Sequence, residues 1–126
     1  MSNSVATSGI HAELGAYSHG VLARGSVLHI SGQVPVDVNN RLVGDDVTVQ
    51  AEQVFANVAA VVRSAGADLD AVVKLTTFLV DAGDAAAVGR VRRNWFSSPY
   101  PASSVVVVAG LLVAEWRLEV EAVAVL

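Results

Sequence analysis

The sequence has no cysteine among its 126 residues. That excludes a disulfide framework, a thiolate metal site and a cysteine nucleophile. Charge is also scarce: 16% of residues are Asp, Glu, Lys or Arg, and the net charge is −4. Sequence-independent binding of nucleic acid needs a clustered positive surface, and an acidic chain does not supply one. The one basic cluster, Arg90, Arg92 and Arg93, is short. His11, His19 and His29 are scattered without a helical i, i+4 pair, so no metal site and no cofactor is expected. The longest apolar run, Val105 to Ala114, is too short to span a bilayer and is interrupted by Gly110. Residues 1–9 are small and polar, without the basic and apolar regions of a secretory leader. These absences lead to the expectation of a soluble, cytoplasmic protein with neither a membrane nor a nucleic-acid partner.

What is present is apolar. Hydrophobic residues make up 53% of the chain, against only 20 Asp, Glu, Lys and Arg in total (8 basic plus 12 acidic). A small domain has much surface to cover, so part of this surplus is expected in a subunit interface. The length suits one domain able to bury a core unaided. Residues 1–12 read as a flexible N-terminal segment and residues 13–126 as the domain.

Periodicity supplies the elements. His19 to Arg24 and Val27 to Gln33 read as strands joined at Arg24-Gly25-Ser26, followed by an extension over Val34 to Val38 and a turn at Asn39-Asn40. A helix follows, capped by Asp45 or Asp46 and stopped at Gly66. Its apolar stripe comprises Ala51, Val54, Phe55, Val58, Val61, Val62 and Ala65. Val72 to Val80 is β-branched and reads as a strand. Asp84 is expected to cap a second helix running to about Phe96, with Val88, Val91 and Trp95 inward, ended by Pro99 and Pro101. Ser103 to Ala109 and Arg117 to Val125 complete the chain as strands. In the last, Arg117, Glu119 and Glu121 alternate with Leu118, Val120, Ala122 and Ala124. The expected fold is α+β: a mixed sheet with two helices packed on one face. Its other face is then left for a partner.

Six segments resemble the Rid/YjgF family, in order and in register. They are Gly15-Ala16-Tyr17-Ser18-His19, Ile30-Ser31-Gly32-Gln33, the Gln50 to Gly66 helix, Val73-Lys74-Leu75-Thr76, Phe96 to Ala102, and Arg117 to Ala122. The resemblance implies a chorismate-mutase-like fold and a homotrimer with small-molecule clefts between neighbours. It also implies chemistry: members hydrolyse 2-imino and 2-enamino acids. An arginine after the "P-A" pair grips the substrate carboxylate. A last-strand carboxylate helps water attack the imine carbon, with backbone groups near "S-G-Q" assisting. In this sequence the residue after Pro101-Ala102 is Ser103, and Gly89 stands where an asparagine is frequent.

Glu119 is therefore the candidate acid or base, the alternative being an ion pair with Arg117. Tyr17, His19, Ser31, Gly32 and Ser103 are the candidate substrate-binding residues. Against them stand ordinary roles: Tyr17 packing with its hydroxyl on backbone, a turn at Gly32, a surface histidine at His19. Arg90 and Arg93 share a helical face and could supply a substitute cation, the alternative being a solvated face. Whether the chain is an enzyme stays open. One reading is a non-canonical family member acting on a small carbonyl, imine, enamine or enol metabolite by hydrolysis, tautomerisation or condensation. Another is a non-catalytic trimer that binds a small molecule or a partner. A third is 2-imino acid deamination retained without the arginine.

Overall fold

A computed structural model describes residues 2–126. Among them the elements follow the order β1 (Ser2–Ser4), β2 (Val21–Ala23), β3 (Val27–Gln33), α1 (Val47–Ser64), β4 (Val72–Leu79), α2 (Ala85–Trp95), β5 (Ala102–Val107) and β6 (Leu118–Val125). Strands β3, β6, β4 and β5 form one sheet in that spatial order. β6 is antiparallel to both β3 and β4, while β4 and β5 are parallel. The sheet is thus mixed, as expected from the helices lying between strands. The parallel pair requires a crossover, and α2 is that crossover.

The helices form where the apolar stripe and the caps agree. In α1 the Asp46 carboxylate accepts from the Val49 N–H, and the chain leaves the helix through Gly66 at φ +86°, a conformation glycine adopts without steric cost. Ala51, Val54, Phe55, Val58 and Val62 are buried along one stripe. They pack on Ile30, Leu75, Leu79, Leu118, Val120, Ala122 and Ala124 from the strands and on Val88 and Val91 from α2. Both helices therefore cover one side of the sheet. Phe55 and Phe96 meet edge to face where the helices converge, with ring centres 6.0 Å apart.

Two local expectations are corrected. β1 is paired antiparallel with β2; its Ser-Asn-Ser sequence has little strand propensity, and backbone pairing decides instead. β2 consequently pairs with β1 rather than with β3. Asp84 stands at the start of α2 but makes no side-chain cap. Its buried carboxylate is held by Arg117, which donates from Nε at 3.1 Å and Nη2 at 2.8 Å. A charge-assisted pair of bonds outcompetes a single capping bond.

Gln50 ties the sheet to the helices. It is fully buried, donates from Nε2 to the carbonyls of Gly44 (2.8 Å) and Glu115 (3.0 Å), and accepts the Arg117 N–H at 2.8 Å. Replacing it would take the partner from two carbonyls and one N–H and leave a gap where a fully buried side chain packs. Gln50→Ala is expected to lower the unfolding free energy by on the order of 3 kcal/mol, from buried unpaired groups and lost packing. Urea denaturation followed by tryptophan fluorescence measures this; a loss below about 1 kcal/mol would show the network to be dispensable.

Candidate active site

The side chains of β6 alternate strictly. Leu118, Val120, Ala122 and Ala124 are buried under the helices, so Glu119 and Glu121 project from the uncovered face. Cross-strand register places Phe78 beside Glu119 and Thr76 beside Glu121. Lys74, on the same face of β4, donates to Ser104 Oγ at 2.9 Å. This face is polar at its centre.

On the other flank of β6, the β3 ladder carries a bulge. Ile30 pairs with Ala122 and Gln33 with Val120, so Ser31 and Gly32 together oppose the single residue Glu121. The bulge brings the Gly32 backbone under the Glu119 carboxylate. A Cβ built on Gly32 would lie 1.9 Å from Glu119 Oε2 and 2.7 Å from its carboxyl carbon. A side chain at this position would push the carboxylate aside. Glu119 makes no ion pair among the described residues, because Arg117 is committed to Asp84. The alternative of a structural Arg117–Glu119 pair is thereby removed. The carboxylate is held by shape and left chemically free.

The N-terminal candidates lie elsewhere. Ser18 forms a parallel bridge with Ala102, its N–H donating to the Pro101 carbonyl and its hydroxyl to that of Tyr100. Tyr17 and His19 flank this bridge beside the first residues of β5, with rings edge to face at 5.5 Å. The Tyr17 hydroxyl accepts from the Leu14 N–H at 3.1 Å, so it does engage backbone. His19 Nε2 donates to the His11 carbonyl at 2.8 Å, and the two imidazoles stack edge-on at 4.9 Å. His19 therefore has a backbone partner in hand.

Ser103 points the other way from Glu119. It pairs with Leu75, whose side chain is buried under the helices, so its hydroxyl faces the helix layer. One chain thus places Glu119, Ser31 and Gly32 together but sets Ser103 on the opposite side of the same sheet. Of the arginines, Arg90 and Arg93 are exposed, which favours the solvated-face reading for both. Arg92, named above only as part of the basic cluster, is the half-buried one. It follows Val88 by four residues and precedes Trp95 by three, which puts it on the apolar stripe. Burial, and secondarily the neighbouring charge of Arg93, lower its pKa from the usual arginine value. A groove of about 810 Å³ runs between Leu69–Val72 and Phe96–Pro101, and none of the candidate residues lines it.

The comparisons with known proteins decide the relationship. The family model described as Endoribonuclease L-PSP matches residues 9–126. The 2-iminobutanoate/2-iminopropanoate deaminase of Salmonella typhimurium is 39% identical over 128 residues, covering 99% of this chain and 98% of its own. This chain belongs to the Rid/YjgF family. The enzyme of the same description from Escherichia coli K12 is 38% identical, again over 99% of this chain and 98% of its own. Among solved structures, the Rid-family protein YyfB of Yersinia pestis superposes with a TM-score of 0.90 at 31% identity, covering 99% of this chain and 98% of that one. RidA from an Antarctic Psychrobacter gives 0.76 at 34% identity, with 98% and 99% covered. The α+β fold read from the sequence is the Rid fold. Among the described residues no helix is long and apolar enough to cross a membrane.

The Gly32–Glu119 contact makes a sharp prediction. Gly32→Ala should displace the Glu119 carboxylate, the movable end of its side chain, at a cost of no more than about 1 kcal/mol, and that cost should vanish in a Glu119→Ala background. Denaturation of the two single variants and the double variant forms the cycle; simple additivity would mean that the two residues do not touch.

Proposed function

We propose that this Rid-family chain is an enzyme for a small imine, enamine, enol or carbonyl metabolite, with Glu119 moving the proton. The observation that carries the reading is the carboxylate seated on Gly32 without an ion-pair partner. An unengaged carboxylate on a rigid strand can accept a proton from water, or return one to carbon or nitrogen, without first breaking a bond. In hydrolysis of an imine, water adds to the C=N carbon as Glu119 takes its proton. That proton then passes to nitrogen, which departs as ammonia when the carbonyl forms. The backbone of Ser31 and Gly32 at the bulge borders the same spot, where it can line the bound substrate. Relatives described as 2-iminobutanoate/2-iminopropanoate deaminases, 38–39% identical over nearly the whole chain, support this reaction class.

The working unit in this reading is a cytoplasmic homotrimer with its sites between copies. Two features support it. Glu119 and Ser103 leave opposite faces of one sheet, so one ligand reaches both only if they come from different chains. Val105, Val106 and Val107 are each at least 43% exposed along the edge strand β5, an apolar strip suited to burial against another chain. Tyr17 and His19, beside the start of β5, then belong to the rim of the cleft.

The test is release of ammonia and 2-oxo acid from freshly generated 2-iminobutyrate and 2-iminopropionate. Native protein should accelerate it, and Glu119→Gln should lower kcat by about 10²–10⁴-fold, the usual worth of a positioned acid or base. Sedimentation should give about 39 kDa, three times 13.0 kDa, for both proteins. Equal rates for native protein and Glu119→Gln would overturn the assignment of Glu119. Tight binding of 2-oxo acids without turnover of either imine would instead establish a non-catalytic binding trimer.

A further inference from the structure

The segment Val73-Lys74-Leu75-Thr76 has no part in the chemistry above, yet it holds the only lysine of the chain. The pairing of β4 with β6 is regular from Lys74 onward and broken just before it. Val72 pairs with Ala124 and Lys74 with Val123, so Val73 is an extra residue in β4. The bulge has a visible effect. Val72 and Leu75 are both buried in the core, although residues three apart on a regular strand point to opposite faces. Lys74, next to the inward Leu75, is thereby set on the open face of the sheet with Glu119 and Glu121. A bulge that re-aims a side chain in this way is a recurrent feature beside reactive sites.

On that face Lys74 is half-buried. Its Nζ reaches across to β5 and donates to Ser104 Oγ at 2.9 Å. The residues paired with it on either side, Ala102 and Val123, are both apolar. Glu121 lies one row along, opposite Thr76, and His29 lies beyond Val123 on β3. Among the described residues Lys74 nevertheless forms no ion pair. A carboxylate partner would hold the amine as an ammonium ion; here the partner is a neutral hydroxyl, which leaves the nitrogen available to react. The hydroxyl is itself useful. It accepts from nitrogen and can donate to an oxygen, so it can carry a proton between the two.

We propose that Lys74 captures small uncharged aldehydes and ketones as a Schiff base, with Ser104 relaying the proton. The uncharged Nζ adds to the carbonyl carbon, and one of its protons passes through Ser104 Oγ to the former carbonyl oxygen, giving the carbinolamine. The second nitrogen proton follows as that oxygen leaves as water and the C=N bond forms. Water reverses both steps. Glu119 and Glu121 on the same face disfavour anions, while Phe78, Val106 and Val123 offer apolar contact, so the site suits carbonyl compounds without an acid group. This goes beyond the chemistry assigned to Glu119 and does not depend on it.

The experiment treats the protein with propanal and cyanoborohydride, which reduces an imine where it forms, and locates the propyl group by proteolysis and mass spectrometry. Native protein should be labelled at Lys74 at least about tenfold faster than free Nα-acetyllysine. Glyoxylate, an aldehyde with an acid group, should show no such advantage over the free amine. Ser104→Ala should slow labelling by about tenfold, and Ser97→Ala, a serine on an exposed loop, should behave as native. Lys74→Arg keeps the charge but should take no label at residue 74, with circular dichroism unchanged. Labelling confined to the N-terminal amine, labelling of Lys74 no faster than the free amine, or an undiminished rate in Ser104→Ala would each overturn the proposal. Rapid labelling of Lys74 in a protein that turns over no imine would sustain it and refute the reading of Glu119 alone. Glu119-dependent imine turnover without labelling at Lys74 would do the reverse.

Discussion

Gln50 has no surface left to solvent, and its amide joins two carbonyls and one N–H drawn from the segment before α1 and from the end of the connection that precedes β6. Arg117, whose N–H donates one of those bonds, reaches on to the Asp84 carboxylate and, through Nη1, to the Asp45 carbonyl at 3.1 Å. The starts of both helices and of the central strand are thereby locked to one another. The consequence is register. Side chains along a strand alternate with a period of two, so a slip of one residue would turn Glu119 into the core and Leu118 out to the open face. The position of the candidate acid or base is fixed from about two residues away by an amide and a guanidinium that touch no substrate.

The same sheet divides the molecule's chemistry. Under the helices, eight-residue strands β4 and β6 bury Leu75, Leu79, Leu118 and Val120 completely. On the far side Lys74, Thr76, Glu119 and Glu121 remain. The bulge at Ser31-Gly32 is the one place where β3 departs from regular pairing, and it lies where the Glu119 carboxylate needs room. Bulges recur next to active sites because they re-aim backbone without breaking the sheet. Here the irregularity and the free carboxylate explain each other.

Much of this was legible in the sequence. The three- and four-residue spacing of Val54, Phe55, Val58 and Val62 gave the buried stripe of α1, and the alternation after Arg117 gave both faces of β6. Turn chemistry located Gly66 and Asp46. What escaped was decided by tertiary competition. Asp84 has the identity and position of a helix cap, yet Arg117 claims it across 33 residues of chain. Ser2–Ser4 form a strand only because the edge of β2 is available. Arg90 and Arg93 share one face of α2, but that face is solvated. Arg92 carried the better signal: it is the charged member of the stripe Val88, Val91, Trp95, and a charge on an apolar stripe calls for an explanation.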